Sequence, residues 1–215
     1  MKRNIRLTTT LLLACFVGLA ASVPRLLAGT PLTCHPFQIG KARSLPWGST
    51  TDSRAFDQAK SDYDTSRLSD DTMALLGETT PVIVRMETIR RAAFYGRRDP
   101  AAGASLRARV EARALSGKDA NPLYLFDYGY LLETYKQASL LQGGIKTVSL
   151  KDGKSGYAYV LEALARRGND PEMEFAAALI ASWPRQDGYQ EHYKKAVTGA
   201  PADQLLASNL DGRLN

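Results

Sequence analysis

Residues 121–141, NPLYLFDYGYLLETYKQASLL, decide the fold class. Asn121 and Pro122 have the chemistry of a helix start: a side-chain oxygen that accepts from an orphan N–H, then a ring whose fixed φ suits the first turn and whose missing donor had no partner there. Behind them Leu123, Tyr124, Phe126, Tyr128, Tyr130, Leu131, Leu132 and Tyr135 leave almost no polar face over three turns. A helix that is apolar all round must be covered on more than one side. The segment is therefore the expected central helix of a helical core.

The same punctuation recurs at Thr80-Pro81, Asp99-Pro100 and Asp170-Pro171, each ahead of a run with helical spacing. Ser69, followed by Asp70 and Asp71 and closed by Gly77, marks a shorter helix with its acids where the helix dipole favours them. Apolar residues step by three and four. Val82, Met86, Ile89 and Ala93 share one face, with Arg85, Glu87, Arg90 and Arg91 expected elsewhere. Leu106, Val110 and Ala114 make a second stripe, Tyr157, Val160, Leu161 and Leu164 a third, and Met173, Ala176, Ile180 and Trp183 a fourth. Shorter helices are expected around Tyr189, Tyr193 and Ala196 and around Leu205 and Leu206; a strand could compete only at 145–150. Residues 66–215 thus read as an all-α domain of stacked antiparallel helix pairs, either α-solenoid-like or an irregular bundle.

An internal echo supports the stacked version. Asp99-Pro100, behind Arg97-Arg98 and opening an alanine-rich helix start, is answered 71 residues later by Asp170-Pro171, behind Arg166-Arg167 and Gly168 and with its own alanine-rich continuation. The offset is near two repeats of about 35 residues. The arrangement resembles the tetratricopeptide and Sel1 kind of helical repeat over 80–207. The resemblance implies the architecture and carries over no binding positions, because that repeat's Trp, Leu-Gly, Tyr, Ala and Phe spacing is not found on these residues.

Between residues 29 and 65 the pattern is different. Pro36, Gly40, Pro46 and Gly48 interrupt a stretch whose large apolar residues are Phe37, Ile39, Leu45 and Trp47. This is an extended arm laid across a surface, with Phe37 and Trp47 as anchors, since a buried aromatic removes about 150–250 Å² from water. The alternative for Trp47 is stacking on a sugar or a partner. Cys34-His35 matches the end of a haem-attachment signature, but the other cysteine would fall at Pro31.

The first 28 residues read as a secretory signal. Lys2, Arg3 and Arg6 precede an apolar run over 11–21, Pro24 breaks it, and Ala28 offers a cleavage point. Leu12, Leu13 and Ala14 ahead of Cys15 also resemble a lipobox, so a membrane link is expected only through an uncleaved signal or a lipidated Cys15. The leader carries four of the 28 basic groups and no acid, leaving 24 against 22 acidic groups, a net charge of +2. That balance gives no argument for nucleic acid as a partner. An exported chain left with Cys34 as its single thiol must be held by its apolar core, and Cys34 is free for a covalent adduct or an intermolecular bridge.

No catalytic constellation is visible. Two histidines are too few for most metal or nucleophile schemes, and neither a metal nor a cofactor is expected. His192 reads as a hydrogen-bonded residue on a short helix. Asp127, inside the most aromatic stretch, is expected either to pair with an Arg from a neighbouring helix or to have a raised pKa and donate a proton. A second carboxylate would have to be Glu162, Glu172 or Glu174. The expected function is an exported, periplasmic or extracellular, non-catalytic scaffold or adaptor for a protein or peptide. Its groove would be lined by Trp47, Tyr124, Tyr128 and Tyr135, with Arg90, Arg91, Arg97 and Arg98 at the rim. The alternatives are a small-ligand carrier attached through Cys34 and a glycan-acting hydrolase using Asp127.

Overall fold

The computed structural model describes residues 32–34, 36–48, 58–117, 120–142, 153–168, 170, 171–182, 187–200 and 204–210. The leader with Cys15 and Ala28, His35, the 145–150 segment and Trp183 lie outside the described residues. The protein is all-α. Its helices are α1 (Leu68–Leu75), α2 (Val82–Arg98), α3 (Pro100–Ala114), α4 (Pro122–Gln142), α5 (Gly156–Arg167), α6 (Pro171–Ala181), α7 (Tyr189–Gly199) and α8 (Gln204–Leu210), with no strand among the described residues.

Three of the proline starts work by side-chain capping. Asp99 accepts from the N–H groups of Ala101 and Ala102, Asp170 from Met173, and Asn121 from Leu123. The other two starts are built differently. Thr80 does not cap α2: its hydroxyl donates to Leu75 O, and Glu172 of α6 reaches across to accept from the N–H of Ile83 instead. Nor does Ser69 begin α1. The chain winds into that helix through a 3-10 turn, Thr65–Arg67, capped by Asp64.

Successive helices pack side by side. In α4 and α5, Gly129 lies against Gly156 and Val160 while Glu133 lies against Gly156 and Tyr157, so the two run antiparallel. In α6 and α7, Pro171 meets Gly199 and Glu174 meets His192 and Lys195, again antiparallel. A Cβ on Gly129 would stand 2.5 Å from the carbonyl oxygen of Gly156. Only a missing side chain permits that approach. α4 is covered by α2, α3 and α5, and Leu123, Leu125, Phe126, Tyr128, Tyr130 and Leu131 are all buried.

The reading of α2 needs correction. Its apolar stripe faces the core as expected, yet every residue from 82 to 90 is buried, Arg85, Glu87 and Arg90 included. α6 is likewise buried from 172 to 181. A further layer, the N-terminal arm, lies on Glu87 and Arg90, whereas Arg85 is enclosed by Asp127 of α4 and the carbonyls of Gly77 and Thr80. Leu32, Phe37 and Leu45 of that arm join the core, with Ile39 and Trp47 packed on it.

Candidate binding site

The arm is held by its backbone as well as by its buried side chains Leu32, Phe37 and Leu45. Starting from a 3-10 turn at Leu32–Cys34, the Leu32 N–H donates to Gln137 Oε1 at 2.5 Å and Thr33 O accepts from Arg90 Nη1 at 3.3 Å. The Phe37 N–H donates to Glu87 Oε2 at 3.0 Å. Asn209 of α8 then takes both backbone groups of Gln38, its Oδ1 accepting from the N–H and its Nδ2 donating to the carbonyl, each at 2.8 Å. Gly40, at φ +57°, turns the chain, closed by Ala42 N–H on Ile39 O. Beyond the turn Arg91 donates to Leu45 O at 2.7 Å and Tyr95 OH to Pro46 O at 2.6 Å. An amide side chain such as Asn209 supplies the donor and acceptor that a neighbouring strand would supply, so it recognises an extended backbone whatever its sequence.

The charges that do this are preorganised. Glu87 accepts from Arg90 Nε and Nη2 at 2.8 and 2.9 Å and from Arg91 Nε at 2.7 Å, a forked and charge-assisted arrangement inside the fold. Burial pushes the Glu87 carboxyl up, but Arg90, Arg91 and the Phe37 N–H together outweigh it and hold the group below its ordinary value. Trp47 closes this end. Its ring has the Arg90 guanidinium at 4.8 Å and that of Arg91 at 5.7 Å, and it meets the rings of Phe94 and Tyr95 at 5.4 and 6.0 Å. Arg97 continues the stack over Phe94 at 4.9 Å.

The structure therefore redistributes the expected groove. Arg90 is 1% exposed and cannot stand at a rim. Arg91 and Arg97 are half-buried and Arg98 is exposed, the last donating to Lys60 O and Ser61 O. Tyr128 and Tyr135 are buried core residues, Tyr128 against Tyr159 and Tyr135 donating to Gly103 O, so they line no accessible groove. Tyr124 is half-buried on a different part of the molecule, with Arg113 over its ring at 4.3 Å and its OH donating to Glu78. Of the expected set, Trp47, Arg90, Arg91 and Arg97 come together, with Arg98 over the neighbouring Tyr95 ring. Cys34, half-buried with a free thiol, lies at the start of the arm.

Sequence reasoning missed Glu87, Tyr95, Gln137 and Asn209. Glu87 had one signal, its spacing of three and four residues from Arg90 and Arg91. Tyr95, Gln137 and Asn209 had none, because the positions they meet lie 49, 105 and 171 residues away.

Asp127 is 0% exposed and meets two arginines: Arg85 Nη1 from α2 at 2.7 Å and Arg113 Nη2 from α3 at 2.8 Å, both on Oδ2. Arg85 also donates to Thr80 O and Gly77 O, tying in the loop between α1 and α2. Burial raises the Asp127 pKa to about 6 against the pull of Arg85 and Arg113. Glu162 pairs with Lys154 and Arg166, Glu172 accepts from Ile83, and Glu174 faces His192 and Lys195, so the contacts of these three lie elsewhere. His192 Nδ1 is 2.5 Å from Glu174 Oε2, beside a cavity of about 510 Å³ between α6 and α7. Of the charged groups lining it, Glu174, Glu191 and Lys195 are paired with one another or with His192.

No group of His, Cys, Asp and Glu among the described residues could hold a metal ion, and no helix among them is long and apolar enough to cross a membrane. No family model, curated protein or solved structure matches the chain. The geometry itself carries the functional reading.

Proposed function

We propose that this protein is an exported, non-catalytic scaffold of tetratricopeptide-like stacked helices that holds an extended segment of a partner protein in the periplasm or outside the cell. The single observation that supports the reading is the capture of residues 32–46 through main-chain groups by side chains of α2, α4 and α8. A surface that meets backbone N–H and C=O groups with buried, preoriented Arg, Glu, Asn and Tyr is built to hold an extended chain. The leader at 1–28 is what supports export.

Site-specific photocrosslinking in the native host tests both halves. A crosslinker is placed at the exposed arm residue Lys41 and, separately, at the exposed residues Leu115 and Val197 of the helical body. A specific adduct with one envelope or extracellular protein, formed by a chain that has lost its leader, is the expected result. Absence of an adduct from all three positions, or a full-length leader retained in the cytoplasm, overturns the reading.

A further inference from the structure

We infer that the face of α2 now filled by the arm is the partner site itself, and that the arm is a built-in occupant which a partner segment of the same chemistry displaces. The proposal rests on the scaffold reading above and names its site and ligand class: an extended, proline-bearing segment with aromatic residues at the places of Phe37 and Trp47.

The division of labour in the contacts carries the argument. Side chains of the helices recognise the arm's main chain at Leu32, Thr33, Phe37, Gln38, Leu45 and Pro46, and any extended segment offers those groups except where proline removes a donor. Sequence is read at the buried Leu32 and Leu45 and at two aromatic positions. Phe37 meets the edge of Phe175 at 6.3 Å, and Trp47 enters the site formed by Arg90, Arg91, Phe94 and Tyr95. Trp47 remains half-buried and Gln38, Gly40, Lys41, Ala42, Arg43 and Pro46 are exposed, while Leu32, Phe37 and Leu45 are buried, so the arm is a surface strap anchored by a few inward side chains. The receiving side is different: Glu87 and Arg90 are bonded to each other as a fork within α2, so this charge pairing does not depend on the strap. A tethered segment has an effective concentration of about millimolar, so a competitor acts only where it binds well or where the tether's grip is weakened.

Two measurements on the full chain decide it. In the first, native-state hydrogen exchange of the wild-type protein follows the amides of Phe37 and Gln38 against those of Met86 and Tyr130. Exchange of the arm amides at least tenfold faster than the core amides is expected, the signature of a strap that opens without global unfolding. Arm amides that exchange only with the core overturn the proposal, because the arm is then an inseparable part of the fold.

In the second, a labelled synthetic peptide with the sequence of residues 36–48 is titrated into wild type and Trp47→Ala. The variant vacates the aromatic site that the peptide refills, so at least tenfold tighter binding to Trp47→Ala is expected, with loss of that gain when Asn209→Ala is added. A folded Trp47→Ala that ignores the peptide overturns the proposal, as does one that forms a stable dimer by exchanging arms between copies. Should Trp47→Ala fail to fold, the wild-type exchange rates decide alone. A crosslinked partner found only at Leu115 or Val197 leaves the scaffold reading standing and removes this site.

Discussion

Asn209 and Gln38 are 171 residues apart in sequence and joined by two 2.8 Å hydrogen bonds that use both backbone polar groups of Gln38. Asn209 is fully buried, and its Nδ2 also donates to Leu205 O, fixing which way the amide faces. The contact ties the last described helix to the N-terminal arm.

Asn209→Ala removes this clamp and leaves the Gln38 carbonyl and N–H without their protein partner. A loss of about 1–3 kcal/mol is expected, read as a lower melting temperature and as faster exchange of the Gln38 amide. An unchanged Gln38 exchange rate would contradict the placement of Asn209.

Arg90→Met leaves Glu87 buried with Arg91 as its remaining cationic partner. The expected cost is about 3–5 kcal/mol, the range for breaking one half of a buried ion pair. Adding Glu87→Gln should restore part of it, with a coupling of about 0.5–3 kcal/mol in a double-mutant cycle followed by urea unfolding. Simple additivity of the two changes would mean that the fork is not a unit.

Asp127→Asn leaves Arg85 and Arg113 without their carboxylate, and a loss of about 3–5 kcal/mol at neutral pH is expected. The pH dependence separates charge from shape. The folded Asp127 carboxyl takes a proton at about 6 and the unfolded one at 3.8, so between those values the folded state binds more protons. This group's contribution therefore falls as pH rises from 3.8 through 6. Glu87 acts with the opposite sign: held below its ordinary 4.5, it contributes stability above that value and loses it as pH falls through the lowered one. In urea titrations from pH 4 to 7, the stability of wild type minus that of Asp127→Asn should fall as pH rises.

Gly129→Ala places a methyl 2.5 Å from Gly156 O and 2.9 Å from Tyr159 Cβ, both on a packed helix. Overpacking of this kind costs about 1–3 kcal/mol, seen as a drop in melting temperature. Gly117→Ala, with nothing within 4 Å of the new methyl, serves as the control and should not move it by a comparable amount.

The helices were legible in the sequence wherever the chemistry that makes them is local. Asp99, Asn121 and Asp170 cap turns two or three residues ahead, and a run such as Phe126, Tyr128, Tyr130 and Leu131 has nowhere to go but inside. The all-α class follows from these alone. The placement of Asp127 beside arginines of neighbouring helices was one of two outcomes that its buried setting allowed, and both its pairing and its raised pKa are realised together.

Tertiary structure decided which faces are inside. Periodicity assigns charges to solvent by default, so it put Arg85, Glu87 and Arg90 on the outside of α2; the return of the arm turns Glu87 and Arg90 into interior groups, and packing against Asp127 of α4 does so for Arg85. Buried charges are tolerated because each meets an opposite charge or a backbone dipole: Arg85 with Asp127, Arg90 with Glu87, and Glu87 with the Phe37 N–H. Those pairings span up to 57 residues in the case of Arg90 and Thr33, and sequence spacing carries no record of contacts between elements that distant. Local propensity fixed the rods, while desolvation of the charged face of α2, possible only once a second layer covered it, fixed where an extended chain could be held.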